Sequence, residues 1–338
     1  MRVAIVNDMR MALEILRRIV NQSPNHVVAW TALDGQEAVE KCTQDRPDLI
    51  LMDLIMPVMD GVEATRQIMA NSPCAILVVT ASVGANADKV YEAMSYGALD
   101  ATNTPVLNQP TSSSGVDSLL GKMDDIEKLL QPSSLKPHQS PRASARSSED
   151  SLPLLALGAS TGGPQALGAI LSGLPKDFPA AVVIIQHIDS QFAPGLADWL
   201  DTQCPLSVGL ARENEKPEPG TARIAARNDH LVLAPDHTFQ YTPEPRDLAY
   251  RPSVDAFFHS IVGCSPKSVT AALLTGMGDD GAEGLLALRQ AGHHTIAQDQ
   301  ESCIVYGMPR AAAERNAAGE IVPLDRIAAS IRIHYSLI

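Results

Sequence analysis

Short apolar runs alternate with amphipathic helical patterns through residues 3–130. The strand-like runs cover residues 3–6, 27–32, 48–53, 75–80 and 98–102. Each is followed by a helical pattern, and parallel strands need crossover connections of this kind. The alternation therefore predicts an α/β domain with an open, parallel five-stranded sheet and helices on both faces.

A second α/β pattern begins beyond residue 152. Its strand-like runs cover residues 154–157, 181–185, 269–275 and 295–297, again with helical patterns between them. Residues 206–243 have the short apolar runs and turn residues that are typical of an antiparallel insert. We therefore expect a second doubly wound α/β domain that carries an antiparallel insert.

The segment between the two patterns differs in composition from both. Residues 131–151 read QPSSLKPHQSPRASARSSEDS, which is rich in Ser and Pro and has no apolar periodicity. An ordinary surface loop is the alternative, but structureless loops of this length are uncommon inside compact domains. We predict one domain at 1–121, a helix tail and flexible linker at 122–151, and a second domain at 152–338.

Composition and charge exclude several classes of protein. The chain has 26 Lys and Arg against 39 Asp and Glu, a formal net charge of −13, and no basic cluster to grip nucleic acid. No apolar run approaches the ~20 residues that span a bilayer, and the first residues lack a secretory signal pattern. The five cysteines are scattered without a C-x-x-C pair, a pattern that argues against a zinc site and against a disulfide framework, and we expect a cytoplasmic location.

Three polar residues stand at strand ends of the first domain. Asp8 follows the first strand, Asp53 ends the third and Thr80 ends the fourth. The carboxyl ends of parallel strands share one edge of a sheet, so these side chains are expected to be neighbours. Two carboxylates suit Mg²⁺, and a carboxylate beside Mg²⁺ and a hydroxyl can accept a phosphoryl group. Simple capping of the following helices is the alternative.

The second domain has a glycine-rich turn around Ser160. G-A-S-T-G-G (158–163) follows a strand and precedes a helix, which matches the G-x-S-x-G pattern of a nucleophilic serine. The helix N-terminus favours a developing negative charge. A phosphate-binding turn is the competing interpretation, although the strict G-x-G-x-x-G spacing is absent.

Two further strand ends supply the partners of a nucleophilic serine. His187 follows the next strand and could act as a general base for Ser160. The loop T-G-M-G-D-D-G (275–281) follows another strand, and either Asp279 or Asp280 could orient the imidazole.

The order Ser, His, Asp differs from the Ser, Asp, His order of α/β-hydrolases. That order would need His259, His293 or His294 as the base. His293 and His294 precede a strand, which places them at the wrong edge of the sheet.

The stretch D-L-I-M-P-V-M-D-G (53–61) resembles the receiver domain of bacterial response regulators. The resemblance covers about residues 1–121 and implies a flavodoxin-like fold. It also implies that Asp53 accepts the phosphoryl group, that Thr80 is the switch hydroxyl, and that Asp8 and Asp53 bind Mg²⁺.

This sequence departs from the receiver pattern at two positions. Asn7 and Asp8 stand where the family usually has two acidic residues, and Thr104 stands where it usually has a lysine.

Residues 152 to about 330 resemble the chemotaxis protein-glutamate methylesterase, or CheB, family. The motifs are G-A-S-T-G-G-P, I-I-Q-H-I, R-P-S-V-D-A-F-F, L-L-T-G-M-G-D-D-G-A-E-G and T-I-A-Q-D-Q-E-S-C-I-V-Y-G-M-P-R. The resemblance implies Ser160 as nucleophile, His187 as base and Asp280 as orienting acid. The backbone N–H groups of Thr161 and Met277 are the candidates for the oxyanion hole. The departures at Asn7 and Thr104 resemble the WspF branch of this family, from surface-sensing clusters.

The same resemblance implies a phosphorylation-regulated hydrolase in sensory adaptation. Its substrate would be a glutamate γ-methyl ester on the cytoplasmic helices of a chemoreceptor, with deamidation of glutamines as a second reaction. Hydrolysis would need no cofactor. A CheA-like histidine kinase would donate the phosphoryl group, and the unphosphorylated receiver would cover the esterase cleft.

Three other functions stay open from the sequence. A signalling adaptor could bind receptor without catalysis, and a generic esterase could act on small molecules. A DNA-binding response regulator is disfavoured by the acidic charge and the α/β pattern of the second domain.

Overall fold

A computed structural model describes residues 1–81, 86–105, 112–130, 153–188, 190–246, 248, 250–264 and 268–336. The chain divides into two compact units, Met1–Pro137 and His138–Ile338. The dividing point falls within the segment 122–151. Residues 131–152 lie outside the described residues, so the linker and the boundaries at 121 and 151 stay predictions.

The first unit has a parallel five-stranded sheet in the order β2-β1-β3-β4-β5 in the described part of the chain. Its strands are β1 (Arg2–Val6), β2 (Val27–Ala32), β3 (Leu49–Met52), β4 (Ala75–Thr80) and β5 (Asp100–Asn103). Its helices are α1 (Arg10–Val20), α2 (Gly35–Gln44), α3 (Gly61–Asn71), α4 (Ala87–Ser95) and α5 (Ser112–Leu130). The α/β fold predicted for the first domain is confirmed.

Strands β3 and β4 in the centre of this sheet are almost entirely apolar because helices cover both faces. Every residue of β3 and of β4 is buried. Asp34 and Asp60 begin α2 and α3 by accepting hydrogen bonds from the amides of Glu37 and Glu63.

The second unit has a parallel seven-stranded sheet in the order β14-β13-β12-β6-β7-β9-β8, counted over the described residues. Its strands are β6 (Leu154–Ala159), β7 (Ala181–Gln186), β8 (Ser207–Leu210), β9 (Thr221–Ile224), β10 (His230–Leu233), β11 (Phe239–Thr242), β12 (Val269–Leu273), β13 (His294–Gln298) and β14 (Glu320–Val322). Its helices are α6 (Gly163–Ser172), α7 (Ala193–Gln203), α8 (Val254–Cys264), α9 (Ala282–Gln290), α10 (Met308–Glu314) and α11 (Leu324–His334). The doubly wound fold is confirmed.

The insert predicted over 206–243 is antiparallel only in part. Strands β10 and β11 form the antiparallel pair, whereas β8 and β9 run parallel to each other and join the main sheet beside β7. The C-terminal strand β14 and helix α11 have no counterpart among the predicted elements. Strand β14 is short and mostly exposed, and α11 buries only Ile327 and Ile331.

Three neighbouring strands position the predicted catalytic residues of the second unit. Strand β6 lies between β12 and β7, and all three run parallel. Their carboxyl ends therefore bring the loops that follow Ala159, Gln186 and Leu273 to one edge of the sheet. Among the described residues, no helix is both long and apolar enough to cross a membrane.

Candidate active site

Ser160 lies in the turn between β6 and α6. Its amide donates to the Thr275 carbonyl at 3.1 Å, and its carbonyl accepts from Gly163 at 2.8 Å. The Gln186 side chain donates a further 2.8 Å hydrogen bond to that carbonyl. Gly162 has a φ of 78°, a left-handed conformation that favours glycine, so the chain can turn directly into the helix. The backbone of Ser160 is thus fixed by hydrogen bonds to two neighbouring strand ends.

His187 and Asp280 are in direct contact. His187 Nε2 lies 2.7 Å from Asp280 Oδ2, and both side chains are more than nine-tenths buried. Asp279, the other candidate acid, instead pairs with Arg315 at 2.9 Å. The structure therefore brings Asp280, and not Asp279, to the imidazole. His294 lies at the opposite edge, where its Nε2 is 3.1 Å from Glu320.

Asp280 accepts hydrogen bonds from several buried donors besides His187. Ser253 Oγ and the Asp255 amide donate to Oδ1 at 2.8 and 3.0 Å, and the Val254 amide donates to Oδ2 at 2.7 Å. Burial alone would raise the pKa of Asp280, but the hydrogen bonds from His187 and the backbone outweigh it and lower the pKa. Asp280 is held as a carboxylate.

The imidazole of His187 is oriented by this carboxylate. Because Asp280 accepts from Nε2, that nitrogen carries the proton, and Nδ1 is left with a free lone pair. Nδ1 is buried and makes no hydrogen bond among the described residues. Over the same residues, no hydrogen bond joins His187 to the Ser160 hydroxyl. Tyr250 stacks on the imidazole, with ring centroids 4.4 Å apart and planes 3° apart.

The loops that carry the predicted oxyanion donors approach each other closely. A Cβ on Gly276 would lie 2.7 Å from the Cβ of Ser160, so only glycine permits this approach. The Thr275 hydroxyl donates to the Thr161 carbonyl at 2.9 Å. The amides of Thr161 and Met277 donate no hydrogen bond in the described part of the chain. Both N–H groups are therefore available to a ligand.

Several residues of the site were missed by the sequence reasoning. Ser253 and Tyr250 contact Asp280 and His187, and Gln186 supports Ser160. Gln298 accepts from the Thr275 amide at 2.9 Å. The motif R-P-S-V-D-A-F-F contains Ser253, but the spacing of its residues does not predict that the hydroxyl donates a hydrogen bond to Asp280.

The first unit brings Asp53 and Thr80 to the same edge of its sheet. Asp53 directly follows β3 and Thr80 ends β4; both are buried. Asn7 Nδ2 donates to Asp53 Oδ2 at 2.9 Å, and the Leu54 amide donates to Oδ1 at 2.7 Å. Burial raises the pKa of Asp53, backbone hydrogen bonds oppose the shift, and the charge of Asp8 adds to it.

The side chains at this edge fit a magnesium ion in their chemistry. Asp8 is exposed, and its charge is close enough to raise the pKa of Asp53. Two carboxylates therefore share this edge of the sheet, and one of them is open to water. Mg²⁺ favours one or two carboxylates together with waters and phosphate oxygens. Asn7 Oδ1 accepts from the Met9 amide at 2.9 Å, so that oxygen is engaged within the protein. Thr104 donates its amide to the Thr80 carbonyl at 2.8 Å.

A serine at a strand-to-helix turn, near an imidazole that a buried carboxylate orients, is the arrangement of serine hydrolases. Comparison with known protein families identifies the two domains more specifically. Residues 155–331 match the CheB methylesterase family, and residues 3–108 match the response regulator receiver domain.

Full-length relatives agree with both matches. The chain is 52% identical to a protein-glutamate methylesterase/protein-glutamine glutaminase of Burkholderia pseudomallei, over 97% of this chain and 96% of that protein. It is 51% identical to a protein of the same name from Mesorhizobium japonicum, over 98% of each. The crystal structure of the Thermotoga maritima CheB methylesterase catalytic domain matches with 34% identity and a TM-score of 0.51, over 55% of this chain and 98% of that one. The chain belongs to the CheB methylesterase family and carries a receiver domain.

Proposed function

We propose that this protein hydrolyses glutamate γ-methyl esters on chemoreceptors in the cytoplasm and deamidates receptor glutamines. The observation that carries the proposal is the 2.7 Å contact between His187 Nε2 and Asp280 Oδ2, which leaves Nδ1 as a base. The relatives of the same family are named for both reactions.

The residues of the second unit supply each step of the hydrolysis. His187 Nδ1 accepts the hydroxyl proton as Ser160 Oγ attacks the ester carbonyl, and Asp280 stabilises the resulting imidazolium. The carbonyl oxygen becomes an oxyanion, which the amides of Thr161 and Met277 stabilise. The imidazolium returns the proton to the leaving methoxide, so methanol departs and a glutamyl-serine ester remains. Water, activated by His187, then releases the free glutamate.

Deamidation follows the same course. An amide carbonyl passes through a similar tetrahedral oxyanion, and the imidazolium protonates the leaving nitrogen so that ammonia departs. No cofactor takes part in either hydrolysis.

The first unit regulates this activity by phosphorylation. Asp53 accepts the phosphoryl group from a CheA-like histidine kinase, and Thr80 is the switch hydroxyl at the neighbouring strand end. Asp8 and Asp53 would hold Mg²⁺, which neutralises charge on the transferring phosphoryl oxygens. Asn7 and Thr104 favour a member of the WspF branch within the family.

Occlusion of the esterase cleft by the unphosphorylated receiver is the form of regulation we propose. Deletion of residues 1–131 is then expected to raise basal esterase activity. Unchanged or lower activity in a folded fragment would argue against occlusion and leave the hydrolase assignment intact.

A serine-directed fluorophosphonate tests the nucleophile. Intact-mass measurement is expected to show one adduct on the wild type and on Ser172→Ala, an exposed serine at the end of α6. Ser160→Ala is expected to show none. Equal labelling of all three proteins would move the reactive group away from Ser160.

A further inference from the structure

Three side chains of types that can bind a metal ion meet at the edge of the receiver sheet opposite to Asp53. They are His26, Asp124 and Glu127, and one ligand atom of each lies within 4.8 Å of the others. His26 directly precedes β2, whereas Asp53 follows the end of β3, and the strands of this sheet are parallel. We call these three residues the His26 cluster.

Helix α5 presents the two carboxylates of the His26 cluster together. Asp124 and Glu127 are three residues apart, which places them on one face of the helix. Leu119, Met123 and Ile126 of the same helix are buried in the receiver core and fix its rotation. The Asp124 side chain is 53% exposed and that of Glu127 is 20% exposed, so the cluster opens to solvent.

His26 is the independent observation that points to a ligand. Its side chain is fully buried, yet neither ring nitrogen makes a hydrogen bond among the described residues. Its Nε2 lies 3.3 Å from Asp124 Oδ1. Buried polar side chains in native proteins normally have partners. A buried imidazole that makes no hydrogen bond, with one carboxylate 3.3 Å away and a second within 4.8 Å, has the character of an unfilled ligand set.

We propose that the His26 cluster binds a divalent cation of the zinc type, with one nitrogen ligand, two carboxylate ligands and water. Tetrahedral zinc holds nitrogen and oxygen at about 2.0–2.2 Å, which places two ligand atoms about 3.3–3.5 Å apart. The separation of His26 Nε2 from Asp124 Oδ1 matches that edge. The Glu127 carboxylate lies within 4.8 Å of the other two ligand atoms, and a change of its rotamer would bring it to the ion. The ion would fasten α5 to the edge strand β2.

Two features of the cluster compete with a metal ion. The terminal ammonium of Met1 lies 3.4 Å from Glu127 Oε1, and a protonated His26 could pair with Asp124 alone. A simple ion pair would show no response to zinc. Magnesium serves as the control cation, because it takes oxygen ligands and is expected at Asp8 and Asp53 instead.

The test is isothermal titration calorimetry of the chelator-treated full chain with Zn²⁺, in the presence of Mg²⁺. The variants are Asp124→Asn and Glu127→Gln, which keep the size of the side chains. Asp117→Asn is the matched control, because it removes the same charge from an exposed position on the same helix. Cysteines and His187 are present in all these proteins, so their zinc binding cancels in the comparison.

The two cluster variants are expected to lose one zinc equivalent or at least tenfold in affinity for that equivalent, while the wild type and Asp117→Asn agree. Zinc is also expected to shift the ring ¹⁵N resonances of His26 in the wild type. Equal zinc binding by all four proteins, or His26 resonances that respond to pH and not to zinc, would overturn the proposal. Both readouts are independent of esterase activity.

Discussion

His187 Nε2 lies 2.7 Å from Asp280 Oδ2, so Nδ1 is the imidazole nitrogen that is free to accept a proton. The carboxylate also accepts from Ser253 and from two backbone amides, which fixes its position and its charge. The orientation of the base is therefore set by the start of α8 and by the loop after β12, both of which are far from His187 in sequence.

Adjacent aspartates provide a matched test of this orientation. Asp280→Asn is expected to lower kcat for methanol release by roughly 10³–10⁴, because an amide no longer fixes the tautomer or stabilises the imidazolium. Asp279→Asn is expected to stay near the wild type, since Asp279 pairs with Arg315. Circular dichroism checks that both variants fold. A similar loss in both would contradict the assignment of Asp280.

Stacking by Tyr250 is expected to hold the imidazole in its working orientation. Tyr250→Ala should reduce kcat about 2- to 12-fold, which corresponds to the roughly 0.5–1.5 kcal/mol of an aromatic pair. Tyr250→Phe keeps the stacked ring and should retain most of the activity. The two variants are compared by initial rates of methanol release. Equal activity of the Ala and Phe variants would show that stacking contributes nothing.

Asp255 is expected to make stability depend on pH. Burial and the charge of Asp280 raise the pKa of Asp255 to about 7. The folded state then binds a proton that the unfolded state, with a pKa of about 4, has already released. The stability from this proton is complete below about pH 4 and is lost as pH rises through about 7.

Asp255→Asn removes the ionisation and keeps an oxygen for the 2.7 Å hydrogen bond from Gly284. Its melting temperature is expected to exceed that of the wild type by several degrees at pH 8, at roughly 2–4 °C per kcal/mol. The difference should shrink toward pH 4. A difference in melting temperature that stays constant between pH 4 and pH 8 would contradict the prediction.

Asn7 is expected to weaken magnesium binding at the receiver. Asn7→Asp adds a second carboxylate beside Asp53, so the Mg²⁺ concentration for half-maximal phosphorylation by a small phosphodonor should fall roughly tenfold. Asn21→Asp adds the same charge at the end of α1 and should have no effect. Intact mass reports the phosphorylated fraction. The same Mg²⁺ dependence in all three proteins would show that position 7 does not limit the ion.

Apolar periodicity was sufficient to predict both α/β units, because their central strands are buried on both faces. It failed for β8 and β9, since short strands carry no signal for the direction in which they pair. The glycine-rich turn at Ser160 and the strand end at His187 were visible because parallel sheets place sites at such ends. The contacts of Ser253 and Tyr250 depend on how the segment before α8 meets the loop after β12 and the end of β7, which spacing cannot give.

Methanol release from membranes that carry methyl-labelled chemoreceptor tests the central claim most directly. The wild type and Ser172→Ala are expected to release methanol, and Ser160→Ala is expected to release none above background. Release by Ser160→Ala at the wild-type rate would contradict the serine mechanism. No release by the wild type, even with the receiver deleted, would contradict the esterase assignment and favour an adaptor that only binds the receptor.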